Sequence, residues 1–307
     1  MKRAFLTGAN GFIGRHLVAR LHREGWATTV YDRKPASTDG QWDTYVQGDL
    51  FDLSALEFAL CESGATIVFH LAALADVRNA LKQPREQYRL NFDATAHVLE
   101  AMRAVGVDRI AFTSSAVVYG DARLSPITER GAEFPQQTSI YGAMKLASES
   151  LIAAYCHGYG MTADIYRLVS LTGPGYRHGN LMDFYQRLKA NPTSLTILGS
   201  GNQIKYYIAV EDVIDAMIRT TGMTHRGAEL WNVSHDRPNT IHDSIDAVCD
   251  VLGLHPTIQY GDDPWTGDLP ALVLNCTKLR QVAGWAPTVT IADSMRATVR
   301  DFVERGL

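Results

Sequence analysis

The stretch Thr7-Gly8-Ala9-Asn10-Gly11-Phe12-Ile13-Gly14 constrains this chain more than any other. An apolar run, Ala4-Phe5-Leu6, precedes it and reads as a buried parallel strand. Ile13, Leu17, Val18 and Leu21 follow at helical spacing. The glycines therefore fall at a strand-to-helix joint. Gly8 permits a tight turn, Gly11 lets the backbone approach a pyrophosphate, and Gly14 lets the helix lie close on the sheet. The helix N-terminus then offers free N–H groups and a positive dipole end to phosphates. Spaced glycines alone are a weak signal, but this set is bracketed by a strand and a helix, and Asp32 ends the next strand. Dinucleotide binding is the expectation.

The 307 residues suit one large α/β domain with a smaller one. An apolar fraction of 46% is ample for a core, and a net charge of −4 argues against a nucleic-acid surface. No apolar run reaches the ~20 residues of a membrane helix, and Met1-Lys2-Arg3 leads straight into a strand, so no signal peptide is expected. Cys61, Cys156, Cys249 and Cys276 form no CxxC pair, which suggests neither a metal site nor a disulfide framework. A cytoplasmic protein that engages neither membrane nor nucleic acid is the expectation.

Further along, 27–31 reads as a second strand closed by Asp32, 18 positions past Gly14, near the spacing for ribose hydroxyl recognition. A carboxylate there repels a 2′-phosphate, so NAD is favoured over NADP, although Arg33 and Lys34 follow at once. Tyr45-Val46 is a short third strand. Asp49, after it, could accept from an adenine amino group or cap the helix beginning near Ser54. Residues 65–71 form a fourth strand, and His70 at its end reads as structural. One amphipathic helix is expected over 84–105, with Asn91 polar in its middle. A fifth strand over 108–113 opens at Ser114-Ser115, beyond the carboxyl ends where such sheets bind ligands. A helix from 139 to 156 and a sixth strand over 163–169 follow. The alternation then loosens, and 230–233 looks like a strand rejoining the sheet. The chain is thus expected to be a doubly wound parallel sheet of Rossmann type with a smaller C-terminal α/β substrate domain. The dinucleotide-binding domain would comprise 1–169 and about 228–250, and the substrate domain 170–227 and 251–307.

Tyr141 and Lys145 stand four apart on one expected helix, on the same face. A free tyrosine is a poor base at neutral pH. A nearby cation favours the phenolate, and a displacement of about three units requires about 4 kcal/mol. Lys145 and a positive nicotinamide ring together would supply it. Ser115 would hydrogen-bond the substrate oxygen or the tyrosine. Such a base takes a proton from a sugar hydroxyl as hydride leaves the same carbon.

The motifs Gly8-Ala9-Asn10-Gly11-Phe12-Ile13-Gly14, Gly48-Asp49-Leu50, His70-Leu71-Ala72-Ala73, Ser114-Ser115-Ala116-Val117-Val118-Tyr119-Gly120 and Tyr141-Gly142-Ala143-Met144-Lys145, with Gly267-Asp268-Leu269-Pro270 and Gly284-Trp285, span nearly the whole chain. On these residues the sequence resembles an extended short-chain dehydrogenase/reductase of the NAD-dependent nucleotide-sugar epimerase/dehydratase family, in its UDP-glucose 4-epimerase-like branch. The resemblance implies Ser115, Tyr141 and Lys145 as the catalytic triad, with Lys145 also on the nicotinamide ribose. It implies a cofactor site on Gly8, Asn10, Gly11, Phe12, Ile13 and Gly14, then Asp32, Asp49 and Leu50, then Leu71, Ala72 and Ala73, with Asn91, Ser114, Leu168, Tyr141 and Lys145. It implies a nucleotide-sugar substrate near Ala75, Ser115, Val117, Ser170, Arg177, Lys205 and Trp265. A homodimer through helices around 86–104 and 139–157 is common in that family.

Dehydratases of the family carry an Asp-Glu pair after the serine or threonine; here those positions are Ala116 and Val117, which transfer no protons. Hydride chemistry at one carbon remains: a 4-epimerase, or else a ketosugar reductase or a sugar or polyol dehydrogenase. A dinucleotide-binding regulator without catalysis is a third possibility, against which the intact Ser115, Tyr141 and Lys145 count. Three departures touch the substrate. Ser170 stands where many members have Asn, Lys205 where many have Arg, and Trp265 near a usual Arg. Lysine holds phosphate as a point charge rather than a bidentate fork, and Arg177 and His178 are candidates to compensate.

Overall fold

The computed structural model describes residues 2–38, 40–75, 80–121, 126–130, 136–261 and 272–307. Alternation of side chains explains the sheet. In β1 (Arg3–Thr7), Ala4 and Leu6 face one apolar core while Phe5 faces another. Strands buried on both faces read as continuous apolar runs, as they do in parallel sheets covered by helices on each side. After α1 (Phe12–Arg23) come β2 (Ala27–Asp32) and β3 (Thr44–Gln47), then α2 (Leu53–Ser63) and β4 (Ile67–His70). In β4, Ile67 and Phe69 again point to one core and Val68 to the other. Asp52, not Asp49, caps α2: its carboxylate accepts from the Ala55 N–H at 3.0 Å.

The single helix expected over 84–105 is interrupted. It runs as α3 (Pro84–Tyr88), a π-helical turn over Arg89–Asp93, and α4 (Ala94–Val105). The wide turn centres on Asn91, and such turns gather at functional sites. Then come β5 (Arg109–Ser115), a 3-10 turn over Ala116–Tyr119, α5 (Ile140–Tyr159) and β6 (Thr162–Leu168). Ser139 starts α5 by accepting from the Gly142 N–H at 3.0 Å.

The remaining elements are β7 (Ser170–Thr172), α6 (Gly179–Ala190), β8 (Ser194–Leu198), β9 (Tyr207–Ala209), α7 (Val210–Thr221), β10 (Gly227–Val233), α8 (Ile241–Leu252), β11 (Thr257–Gly261), α9 (Thr277–Ala283) and α10 (Ile291–Glu304). The main sheet has seven parallel strands in the order β10-β6-β5-β4-β1-β2-β3. Its direction of winding reverses between β1 and β4, where sheets of this kind bind ligands. β7 pairs with β9, and β8 with β11, as two short parallel ladders.

The apolar cores divide the C-terminal half differently from the sequence boundaries. Val210, Val213, Ile214 and Met217 of α7 belong to the core beneath α1, on the main sheet. Ile245 and Val248 of α8 belong instead to a separate core with Leu181, Tyr185, Met295 and Phe302. Periodicity shows that a helix has an apolar face, but not which neighbour buries it.

Candidate active site

The Gly-rich turn follows β1 as a tight link. The Gly11 N–H bonds the Gly8 carbonyl at 2.9 Å. Gly8 has φ +73°, and a Cβ there would lie 2.6 Å from the Ala72 backbone, so the turn and the segment after β4 touch through main chain. Gly14 differs from expectation. Its missing Cβ makes room for Ala9 of the turn itself, 2.4 Å away, rather than for the sheet. No side chain caps α1 and no acid stands in its first turn, which leaves its N–H groups to an anion.

Beside this turn is a cavity of about 220 Å³ lined by Gly8, Asn10, Gly11, Asp32, Asp49, Leu50, Leu71, Ala72 and Ala73, all expected cofactor residues. Asp32 accepts from the Asn10 N–H at 3.2 Å and from the Lys34 N–H at 3.0 Å. The Asn10 side-chain oxygen is buried without a partner, a feature that a donor on a bound molecule would satisfy. A glycine cradle, an uncapped helix end, a carboxylate at the ribose position and an unused acceptor fit a dinucleotide.

Tyr31, Gly48, Phe51, Leu90 and Ala94 also line the cavity and were not among the expected cofactor residues. Gly48 carried a usable signal: a Cβ there would meet the Tyr31 ring at 2.3 Å, and the Tyr31 hydroxyl donates to the Asp49 carbonyl at 3.1 Å. Phe51 lies beneath the Arg89 guanidinium, 4.1 Å from its ring centroid.

The side chains of five expected cofactor residues face elsewhere. Asn91 is 1% exposed, and protein partners use its whole amide. It accepts from the Leu74 N–H at 2.8 Å and donates to the Leu74 carbonyl at 3.2 Å and to Gln87 at 2.6 Å. It thereby pins the segment that follows β4 instead of offering its side chain to a ligand. Ser114 turns its hydroxyl onto the Glu149 carboxylate. The Phe12 ring packs edge-on against Tyr176 at 5.3 Å, and Leu168 is buried in the main core. Ile13 packs against that same core.

At the carboxyl end of β5 the three side chains expected to react come together. Ser115 closes the strand, its hydroxyl oxygen accepts from the Val117 N–H at 3.4 Å, and the hydroxyl favours the Tyr141 phenolate. Tyr141 and Lys145 are 7% and 2% exposed, one turn apart on α5. The Lys145 amine donates to the Thr113 carbonyl at 2.9 Å and sits 4.5 Å from the Phe112 ring centroid. The expected depression of the phenol is absent. Burial pushes Tyr141 up to about 12, opposed by the nearby Ser115 hydroxyl. Burial also pulls Lys145 down to about 7, against the upward pull of Glu149. The amine is 6.0 Å from the Tyr141 ring centroid and engaged elsewhere, and without water to solvate it each charge is disfavoured.

His70 lies against this group. Its ring nitrogens pair with Thr7 at 2.7 Å and Thr95 at 3.1 Å. Burial, and then Lys145, lowers its pKa to about 3, so the imidazole is neutral. Ala116 and Val117 follow Ser115 in the 3-10 turn and offer no acid.

On the substrate side, Ser170 of β7 is in register with Tyr207 of β9, and Lys205 precedes that strand. The Lys205 backbone bridges to Asn239 with N–O separations of 2.7 and 2.9 Å. Arg177 is exposed, and Ala75 is exposed at the end of the segment Asn91 pins. Trp265 and Gly267-Asp268-Leu269-Pro270 lie outside the described residues. No described helix is long and apolar enough to cross a membrane.

Comparison with known proteins gives a consistent result. The model of the NAD dependent epimerase/dehydratase family matches residues 4–234. A UDP-glucose 4-epimerase from Mycolicibacterium smegmatis is 29% identical, over 98% of each chain. A solved UDP-galactose 4-epimerase is 31% identical with a TM-score of 0.86, over 99% of each chain. MoeE5, solved in complex with UDP-glucose and NAD, is 28% identical with a TM-score of 0.88, over 99% of this chain and 100% of its own.

Proposed function

Because the chain belongs to the NAD dependent epimerase/dehydratase family, we propose that it is an NAD-dependent epimerase that inverts carbon 4 of a UDP-linked sugar. The observation that carries this reading is the buried group of Ser115, Tyr141 and Lys145 at the end of β5, followed by Ala116 and Val117 in place of acids. Tyr141 takes the proton from the sugar 4-hydroxyl, and Ser115 holds that oxygen. Bound NAD would supply the hydride acceptor and donor for carbon 4 and a positive ring that favours the Tyr141 phenolate. Lys145 adds its charge and grips the cofactor ribose. The ketone that results on the sugar turns its other face, and Tyr141 returns the proton to the oxygen. With no second acid in the 3-10 turn, water elimination has no proton donor there.

Tyr141 sets a strong requirement. Bringing a phenol from about 12 to neutrality needs about 7 kcal/mol, more than a lysine occupied with a carbonyl supplies. The reading therefore depends on the cofactor cation as well as Lys145. Gly8, Gly11 and the α1 N-terminus would take the pyrophosphate, and Asp32 the adenosine ribose, which selects NAD over NADP. Lys205, Ser170 and Arg177 would hold the UDP diphosphate. We read the protein further as a cytoplasmic homodimer. Tyr88 and Tyr159, exposed at 44% and 59% near the ends of α3 and α5, suit a helix-to-helix contact.

The test is incubation with a panel of UDP-hexoses and a trace of NAD. The 4-epimer should form with no net redox change. Formation of reduced cofactor in proportion to product would indicate a dehydrogenase instead.

A further inference from the structure

One turn beyond Lys145 on α5 lies a carboxylate that the chemistry above does not use. Glu149 is 4% exposed. Its oxygens accept from Arg167 of β6, at 3.0 and 3.2 Å from Nε and 2.5 Å from Nη2. The Ser114 hydroxyl donates to it from β5. Arg167 also donates to the Glu129 carbonyl at 3.0 Å and lies over the Tyr119 ring at 4.7 Å. Tyr141, Lys145 and Glu149 thus follow one another at four-residue spacing on the inner face of α5.

A buried ion pair is weak as a stabiliser, because desolvation consumes much of the attraction. Its position suggests another use. The groups facing Lys145 are Tyr141 and Glu149 from α5, the Phe112 ring and Thr113 carbonyl from β5, and His70 from β4. His70 is neutral, with both ring nitrogens occupied. Among these described groups Glu149 is the formal negative charge.

We propose that Glu149 and Arg167 are positioning residues for the amine: Glu149 keeps the proton on buried Lys145, and Arg167 limits how tightly it does so. The inference rests on the reading of Lys145 given above. Burial already draws the amine down, with Glu149 the opposing influence, so a change at the carboxylate shifts the balance between the charged and neutral amine.

The two halves of the pair should act in opposite directions, which a merely structural ion pair would not do. The readout is the titration midpoint of the Lys145 amine, followed by nitrogen-15 NMR in cofactor-free protein and assigned by its loss in Lys145→Met. Glu149→Gln should lower the midpoint by about one pH unit. Glu149→Asp should restore it. Arg167→Gln should raise it, because the carboxylate then has only Lys145 as a cation partner. Shifts in the same direction for Glu149→Gln and Arg167→Gln, or no shift in either, would overturn the proposal. Should either fail to fold, Ser114→Ala carries the test: both charges remain, the carboxylate loses a donor, and the midpoint should rise. An unmoved midpoint would then overturn the proposal. UDP-hexose turnover by the unaltered enzyme is measured alongside. Absent turnover with opposite shifts sinks the epimerase reading alone, whereas turnover without them sinks the charge coupling alone.

Discussion

The two ends of the cofactor cleft are built from different materials. At the glycine-turn end, main chain meets main chain: Gly8 lies against Ala72, and the α1 N-terminus carries no cap. At the reactive end, buried side chains hold the site together. Tyr141, Lys145, Glu149 and Arg167 are each less than 10% exposed, and each depends on a partner for its charge or its proton. The first end tolerates no extra atom, and the second tolerates no lost partner.

Substitutions can break this contrast. The largest effect is expected at the reactive end. Tyr141→Phe should fold, bind NAD as before and lose about 10²- to 10⁴-fold in turnover, the usual contribution of a positioned acid or base. Steady-state rates and a cofactor-binding titration check both halves. At the other end, Gly8→Ala adds one methyl at φ +73°, 2.6 Å from Ala72. It should cost about 3 kcal/mol of stability in urea denaturation, and NAD binding with it. Asp32→Asn should be milder, weakening NAD about tenfold and narrowing the preference over NADP, as read from the two dissociation constants.

Titration gives the smallest and most revealing difference. An unfolded lysine keeps its proton to about 10.5, whereas Lys145 in the fold releases it near 7. Between those values the unfolded chain binds more protons, so stability should rise with pH across that window. On the proposed mechanism turnover needs the Lys145 cation, which disappears over the same window, so activity and stability should move in opposite directions as pH rises above 7. Denaturation midpoints and rates measured across it check this. On the acid side, His70 stays neutral down to about 3 instead of 6.5. The unfolded chain takes up that proton first, so stability should fall as pH drops from 6.5 to 3.

The same contrast explains what was legible in the sequence. The shape of the glycine-turn end was legible because glycines and strand-end residues have fixed backbone meanings: the Gly8 turn, Asp32, and Leu71-Ala72-Ala73 all border the cavity. The seven-stranded sheet followed from apolar runs and their alternation. At the other end, the sequence showed which side chains would meet but not their energetics. Four-residue spacing placed Tyr141 beside Lys145, yet it could not reveal that the amine would bond Thr113 or that burial would raise the phenol to about 12. The side-chain partners of Asn91 were hidden for a related reason. A polar residue within an apolar helix suggests a ligand, but the π turn aims this amide at Leu74 and Gln87. The destination of α7 and α8 was also hidden, because an apolar stripe does not name its partner.

The central claim is that one carbon loses and regains the same hydride while Tyr141 handles the proton. A UDP-hexose carrying deuterium at carbon 4, incubated with enzyme and a trace of NAD, tests it most directly. The account predicts an inverted product that retains deuterium at carbon 4, formed about 10²- to 10⁴-fold more slowly with Tyr141→Phe. Inversion with loss of the label to solvent would contradict it.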